Sequence, residues 1–162
     1  MQNFYVFLDI DGVMFDWDYI TEEINAGRVK RGGIVKKFKP ESVKALNFLI
    51  KELEKNYNVE LVISSTWRLN LPLTEEILKA NGLIFSKELD RTPIAYSNQR
   101  GKQISKYLED KQNYDYVIID DEMFDFEEYF SPNKIIKCEI YHSALSLGKV
   151  KNYLNKAHQI EK

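Results

Sequence analysis

Apolar residues recur along this chain as short unbroken blocks separated by stretches of helical period. Phe4-Tyr5-Val6-Phe7-Leu8 is an apolar, aromatic run stopped by Asp9, Asp11 and Gly12, the pattern of a strand buried on both faces. Behind Pro40, the residues Val43, Leu46, Leu49, Ile50 and Leu53 recur at helical spacing, with lysines and glutamates on most of the opposite face. That pattern predicts an amphipathic helix opened by the proline. Residues 59–63 read as a second strand running into Ser64-Ser65-Thr66-Trp67-Arg68, and residues 74–80 as a weaker helix ending near Asn81-Gly82. Leu83-Ile84-Phe85 is the candidate third strand. A helix over 99–111 follows, then a strand over 116–119 ending in Asp120-Asp121, a fifth strand over 134–140, and a helix from about Ser146.

Strands alternating with helices imply an α/β fold: a three-layer, doubly wound, Rossmann-like, mostly parallel five-stranded sheet with right-handed crossovers. Residues 14–39 have no clean period and carry Gly27, Gly32 and Gly33 among basic residues. A helical turn and a hairpin-like flap are expected there, a minimal cap and not a second domain. With no repeat or linker in view, residues 1–162 are read as one domain.

A formal net charge of −2 gives no overall attraction to phosphate polymers, so any nucleic-acid contact must come from a local patch. The single cysteine, Cys138, sits in an apolar run and reads as a buried thiol. No stretch of about 20 apolar residues could cross a bilayer, and no basic, apolar signal sequence opens the chain. The expectation is a soluble cytoplasmic protein with no membrane contact and no obligate protein partner evident.

In parallel sheets of this kind, ligands bind beyond the carboxyl ends of the strands. Asp9 and Asp11 end the first strand, and strand alternation would turn both carboxylates to one side. Carboxylates that close repel unless a cation lies between them, and a hard divalent ion such as Mg2+ suits oxygen ligands. Asp120 and Asp121 would bring further carboxylates to the same point if the fourth strand lies beside the first. Ser64 or Ser65 offers a hydroxyl and backbone N–H groups to a phosphoryl oxygen. Arg100-Gly101-Lys102, at the start of a helix, offers a cation where the helix terminus also favours anions.

Asp9-Ile10-Asp11-Gly12-Val13, Ser64, Arg100-Gly101 or Lys102, and Asp120-Asp121 resemble the four ordered motifs of the haloacid dehalogenase-like (HAD) superfamily. The resemblance implies that Asp9 is a nucleophile forming an aspartyl-phosphate and that Asp11 moves the proton. It implies Mg2+ held by the Asp9 side chain, the Asp11 backbone carbonyl and Asp121, with Asp120 or Asp125 in support. Aligning on the glycine selects Arg100 as the third-motif cation; matching side-chain type selects Lys102. Ser64-Ser65-Thr66-Trp67-Arg68, Arg91-Thr92-Pro93 and Ile119-Asp120-Asp121-Glu122 look more narrowly like the HAD domain of Swiss-army-knife RNA-repair proteins. That narrower likeness points to a phosphorylated small molecule, nucleotide or nucleic-acid end as substrate, with Trp67, Arg68, Arg91 and the cations Arg28, Lys30 and Arg31 as candidate substrate contacts.

Two other functions share this residue set. A signalling receiver also combines acids, a hydroxyl and a lysine, but it accepts phosphate on an aspartate after a later strand. A phosphotransferase, or an inactive phosphate- or metal-binding regulatory module, would use the same acidic cluster.

Overall fold

The computed structural model describes residues 1–160. Five strands form the sheet: β1 (Asn3–Leu8), β2 (Asn58–Ile63), β3 (Asp90–Arg91), β4 (Tyr114–Asp120) and β5 (Ile135–Lys137). They lie in the order β3-β2-β1-β4-β5 and every pairing is parallel. The helices are α1 (Trp17–Asn25), α2 (Pro40–Glu54), α3 (Leu71–Ala80), α4 (Arg100–Leu108) and α5 (Leu147–Ile160). Among the described residues no helix is long and apolar enough to cross a membrane.

Alternation along β1 divides the core in two. Phe4, Val6 and Leu8 join the larger cluster with residues of α2, α3 and α5, whereas Tyr5 and Phe7 join a smaller one with Ile104 and Leu108 of α4 and with Phe126. Val6, Phe7 and Leu8 are fully enclosed, and each such side chain contributes roughly 1.5–3 kcal/mol. Burial on both faces is why β1 reads as one apolar block, and its flanks by β2 and β4 make it the middle strand. Cys138 is buried as expected, and burial pushes its thiol up to about 12.

Three expectations need correction. Leu83-Ile84-Phe85 is not a strand, although Leu83 and Phe85 are buried while Ile84 is exposed. Gly82 turns the chain at φ +102°, the Leu83 N–H closes on the Leu78 carbonyl (3.0 Å), and the Ile84 N–H goes to Asn47 Oδ1 (2.9 Å). The segment is thus engaged in ending α3 and plugging the core. The place beside β2 goes to Asp90–Arg91, a two-residue exposed edge strand with no apolar signal.

Nor do residues 14–39 form a hairpin. The expected helical turn is there as α1, which Asp16 caps, its Oδ1 accepting from the Tyr19 N–H (2.9 Å) and its Oδ2 from Lys39 Nζ (3.1 Å) and the Ala144 N–H (3.2 Å). After α1 the chain runs irregularly but is pinned. Glu23 takes Arg28 in a two-pronged pair (2.8 and 3.0 Å) and also binds Lys37, and Asn81 bonds the Phe38 N–H and the Lys36 carbonyl (2.9 Å each). Finally, the fifth strand is shorter than the expected 134–140. It stops at Lys137, after which the Cys138 N–H still reaches the Asp120 carbonyl (2.8 Å) before the chain turns.

Candidate active site

The carboxyl ends of β1, β2 and β4 converge, because the parallel register sets Leu8 level with Ile63 on one side and Ile119 on the other. Asp9 is therefore the first residue beyond the middle strand. Its N–H still pairs with the Ile119 carbonyl (3.0 Å), its Oδ1 accepts from the Ile10 N–H (2.9 Å), and it is buried. Asp120 closes β4 and is fully buried. One carboxylate oxygen from each of Asp9, Asp120 and Asp121 lies within 4.8 Å of the others. Gly12, at φ +80°, lets Asp121 approach: a Cβ there would lie 2.6 Å from Asp121 Oδ2.

Asp11 turns elsewhere. β1 ends at Leu8, so the pleat does not extend far enough to hold both aspartates on one side. The Asp11 carboxylate is exposed and accepts from the indole N–H of Trp67 (3.3 Å). Its pKa is raised, first by desolvation and then by the Asp121 charge, against the pull of Trp67 and Arg100. The two aspartates thus stand apart, one inside the acidic cluster and one at its rim.

Of the two candidate cations, Arg100 enters the cluster. Its Nη1 lies 2.7 Å from Asp120 Oδ2 and 3.6 Å from Asp9 Oδ1. The Lys102 ammonium lies over the Tyr96 ring, 4.3 Å from its centroid. Two features hold Arg100: Phe124, which the sequence did not announce, and Asp125, expected as support for the acidic cluster but found capping the helix. The Phe124 ring sits 4.2 Å from its guanidinium carbon, on a backbone at φ +43° that a bulky residue rarely adopts. Asp125 accepts from the N–H groups of Gly101 (2.6 Å) and Lys102 (3.1 Å), capping a helix whose own first flanking residue, Gln99, makes no side-chain cap bond. Gly101 permits this, since a Cβ there would lie 2.8 Å from Asp125 Oδ1.

The turn after β2 supplies the opposite wall. The Ser64 N–H is taken by the Leu8 carbonyl (3.1 Å), but its buried hydroxyl has no partner. Ser65 Oγ accepts from the Trp67 N–H (3.3 Å) and so starts a short 3-10 helix over Thr66–Asn70. Arg68 is buried, donates from Nη1 to the Ser65 carbonyl (2.9 Å), and leaves Nε unpartnered. Burial, then Arg100 and Arg91, depress its pKa. Among the described residues no carboxylate pairs with Arg68 or Arg91; Arg91 Nη1 donates to the Arg68 carbonyl (3.2 Å). Thr92, buried beside them, is a further unpartnered hydroxyl, which the sequence offered only as part of the Arg91-Thr92-Pro93 motif and without a role of its own. Of the flap cations, Arg28 is committed to Glu23, while Lys30 and Arg31 are exposed.

Electrostatically the cluster is short of positive charge. Burial, then Asp120, pushes Asp9 well above the ordinary carboxylate range, with Arg100 opposing. Burial likewise raises Asp120 despite its 2.7 Å pair with Arg100. Burial works against the Arg100 charge too, but Asp120 and Asp9 outweigh it and raise that pKa. Three carboxylates facing one guanidinium, all offering oxygen, fit a hard divalent cation.

A doubly wound parallel sheet with one aspartate pair at the end of its middle strand and another after the neighbouring strand defines a HAD-like domain, of a superfamily of phosphatase-type hydrolases. More narrowly, the chain belongs to the family described as the HAD domain in Swiss Army Knife RNA repair proteins, which matches residues 5–147. No curated protein and no solved structure matches it.

Proposed function

We propose that this protein is a Mg2+-dependent phosphomonoesterase working through an aspartyl-phosphate on Asp9, with a nucleotide or a nucleic-acid terminal phosphate as substrate. The observation that carries the reading is the set at the head of β1: buried Asp9 within 4.8 Å of Asp120 and Asp121, with Arg100 reaching Asp9.

In the first step an Asp9 carboxylate oxygen attacks phosphorus. The bond to the leaving oxygen breaks, its electron pair stays on that oxygen, and the Asp11 carboxyl gives it a proton. In the second step Asp11 takes a proton from water as the water oxygen attacks phosphorus, and the phosphorus–Asp9 bond breaks to release inorganic phosphate. Asp11 suits both tasks because it sits at the rim, its pKa raised, where solvent and a leaving group can reach it. Asp9, Asp121 and the Asp11 carbonyl would hold Mg2+, with Asp120 beside them holding Arg100. Bound there, the cation would supply positive charge to offset that of the phosphoryl group and the carboxylates.

Phosphoryl oxygens need donors, and the site has two unspent, the Ser64 hydroxyl and the Arg68 Nε, with the Arg100 guanidinium held beside Asp9 by Asp120. A buried arginine without a carboxylate is costly unless an anion joins it. We assign the third-motif role to Arg100 and not Lys102, whose ammonium lies over Tyr96. The family's description supports a phosphorylated nucleic-acid substrate.

The test is phosphate release from sugar phosphates, nucleoside monophosphates and 3′- or 5′-phosphorylated oligonucleotides, with Mg2+ or with chelator. Release that requires Mg2+ and favours nucleotides or oligonucleotide ends is expected. Preference for sugar phosphates would replace the substrate assignment, and no release from any of them would overturn the enzymatic reading.

A further inference from the structure

An apolar hollow adjoins the site on the Asp11 side. It is a cleft of about 380 Å³ with Asp11 on one wall, Trp67 and Leu69 from the turn after β2 on another, and Phe15, Trp17 and Ile34 from the segment after β1 opposite. That volume falls within the ~300–1,000 Å³ of small-molecule sites. Its aromatic walls are braced. Phe15 packs edge-on to Trp17 (6.0 Å between ring centres) and is stacked on Phe38 (6.1 Å), which in turn meets Trp67 edge-on (5.9 Å). Phe15 and Phe38 are buried, so the cleft is preformed and not a gap between loose side chains.

In the two-step chemistry above, the leaving oxygen departs opposite Asp9 and takes its proton from Asp11. The group attached to that oxygen must then extend from Asp11 into whatever adjoins it, which is this cleft. We infer that the cleft seats the nucleobase of the leaving nucleoside, held flat against Trp67 or Trp17. This inference rests on the phosphohydrolase reading and adds to it the chemistry of the leaving group.

A nucleobase fits better than a plain hydrocarbon ring. Its faces are apolar and stack on indole, an interaction of about 1–3 kcal/mol per base, while its edge is polar and meets Thr66 and Asn70 on the same wall. The adjoining turn also carries Arg68, a cation without a carboxylate, suited to the phosphate end of the same ligand.

The chain has two tryptophans, Trp17 and Trp67, and both line the cleft. Intrinsic fluorescence therefore reports its occupancy without any turnover. The experiment is a titration of the wild-type protein with phosphate-free adenosine and uridine, excited at the red edge of the tryptophan band, with ribose and phenol as controls. Leu69→Glu and Ile34→Glu serve as variants, because both positions are exposed (58% and 55%), with unfolding by heat as the check that each remains folded. Expected are saturable quenching by nucleosides, affinity at least about tenfold weaker for ribose and for phenol, and about a fivefold or greater loss in each variant; tenfold corresponds to ~1.4 kcal/mol.

Absence of saturable quenching by nucleosides, quenching as strong with ribose, or quenching untouched by both substitutions would overturn the inference. Phenol binding as tightly as adenosine would overturn the nucleobase assignment. Quenching without phosphate release in the separate assay would count against the phosphohydrolase reading while leaving the cleft intact, so the two failures are distinguishable.

Discussion

Asp125 and Gly101 should behave as one unit. Asp125→Ala removes a carboxylate that accepts two backbone N–H bonds, at 2.6 and 3.1 Å, from the first turn of a helix with no side-chain cap of its own. Bonds to a charged acceptor contribute ~1.5–3 kcal/mol each when fully enclosed, and loss of a cap typically costs ~0.5–2 kcal/mol. Asp125 is half-buried, so the expected cost is about 2 kcal/mol, or ~1 M off the urea midpoint if the denaturant slope is about 2 kcal/mol/M. Gly101→Ala gains ~0.5–1 kcal/mol from helix preference. It also places a Cβ 2.8 Å from Asp125 Oδ1 and 3.0 Å from its Cγ, which displaces the cap, so a net loss of about 1 kcal/mol is expected. With Asp125 already alanine the carboxylate clash is gone and only the residue-125 backbone oxygen, 3.1 Å from the new Cβ, must give, so Gly101→Ala should become nearly neutral. The double-mutant cycle, measured by urea unfolding, should show a coupling of about 1 kcal/mol or more. Additivity within ~0.3 kcal/mol would refute the reasoning. Because Arg100 is the first residue of that helix, Asp125→Ala should also lower phosphate release while leaving Arg100 in place.

Two further outcomes follow from the charges. Mg2+ should raise the melting temperature in a concentration-dependent way, since an ion held only by the folded cluster stabilises by mass action, ~2.7 kcal/mol at a hundred times its dissociation constant; Asp121→Asn should remove most of that shift, and an undiminished shift would place the ion elsewhere. Glu23 is drawn down to about 2 from 4.5 by hydrogen bonds from Arg28 and Lys37, so its stabilisation is present above pH 4.5 and is lost as pH falls toward about 2. Glu23→Gln should therefore cost stability at neutral pH and less at acid pH, and equal losses in melting temperature at both would contradict the pairing.

How far the sequence disclosed this molecule depended on how local each determinant is. β1 is a run of side chains enclosed on both faces, so it reads directly as a strand, and Asp9 directly after it reads as a site residue. Asp120 and Asp121 were legible for the same reason. β3 was not, because a two-residue edge strand buries nothing, whereas Leu83 and Phe85 imitate a strand by packing into the core beneath a helix end. Asp16, a polar residue directly before Trp17, was a capping signal that could have announced α1. The choice between Arg100 and Lys102 depended on which side of α4 faces β4, which spacing alone left open. The aromatic cleft joins residues as far apart as Phe15 and Trp67, and Phe124 gains its place over Arg100 from a left-handed backbone. Neither arrangement has a local pattern to betray it.

The central claim is covalent catalysis by Asp9, and its most direct measurement is acid quenching of the protein during turnover with Mg2+ and a phosphorylated nucleoside, followed by mass analysis of the peptide that contains Asp9. The account predicts a phosphoryl group on Asp9 that is labile to hydroxylamine and absent from Asp9→Asn, which should release no phosphate. Phosphate release by Asp9→Asn at the wild-type rate, or a phosphoryl group on another residue, would contradict it.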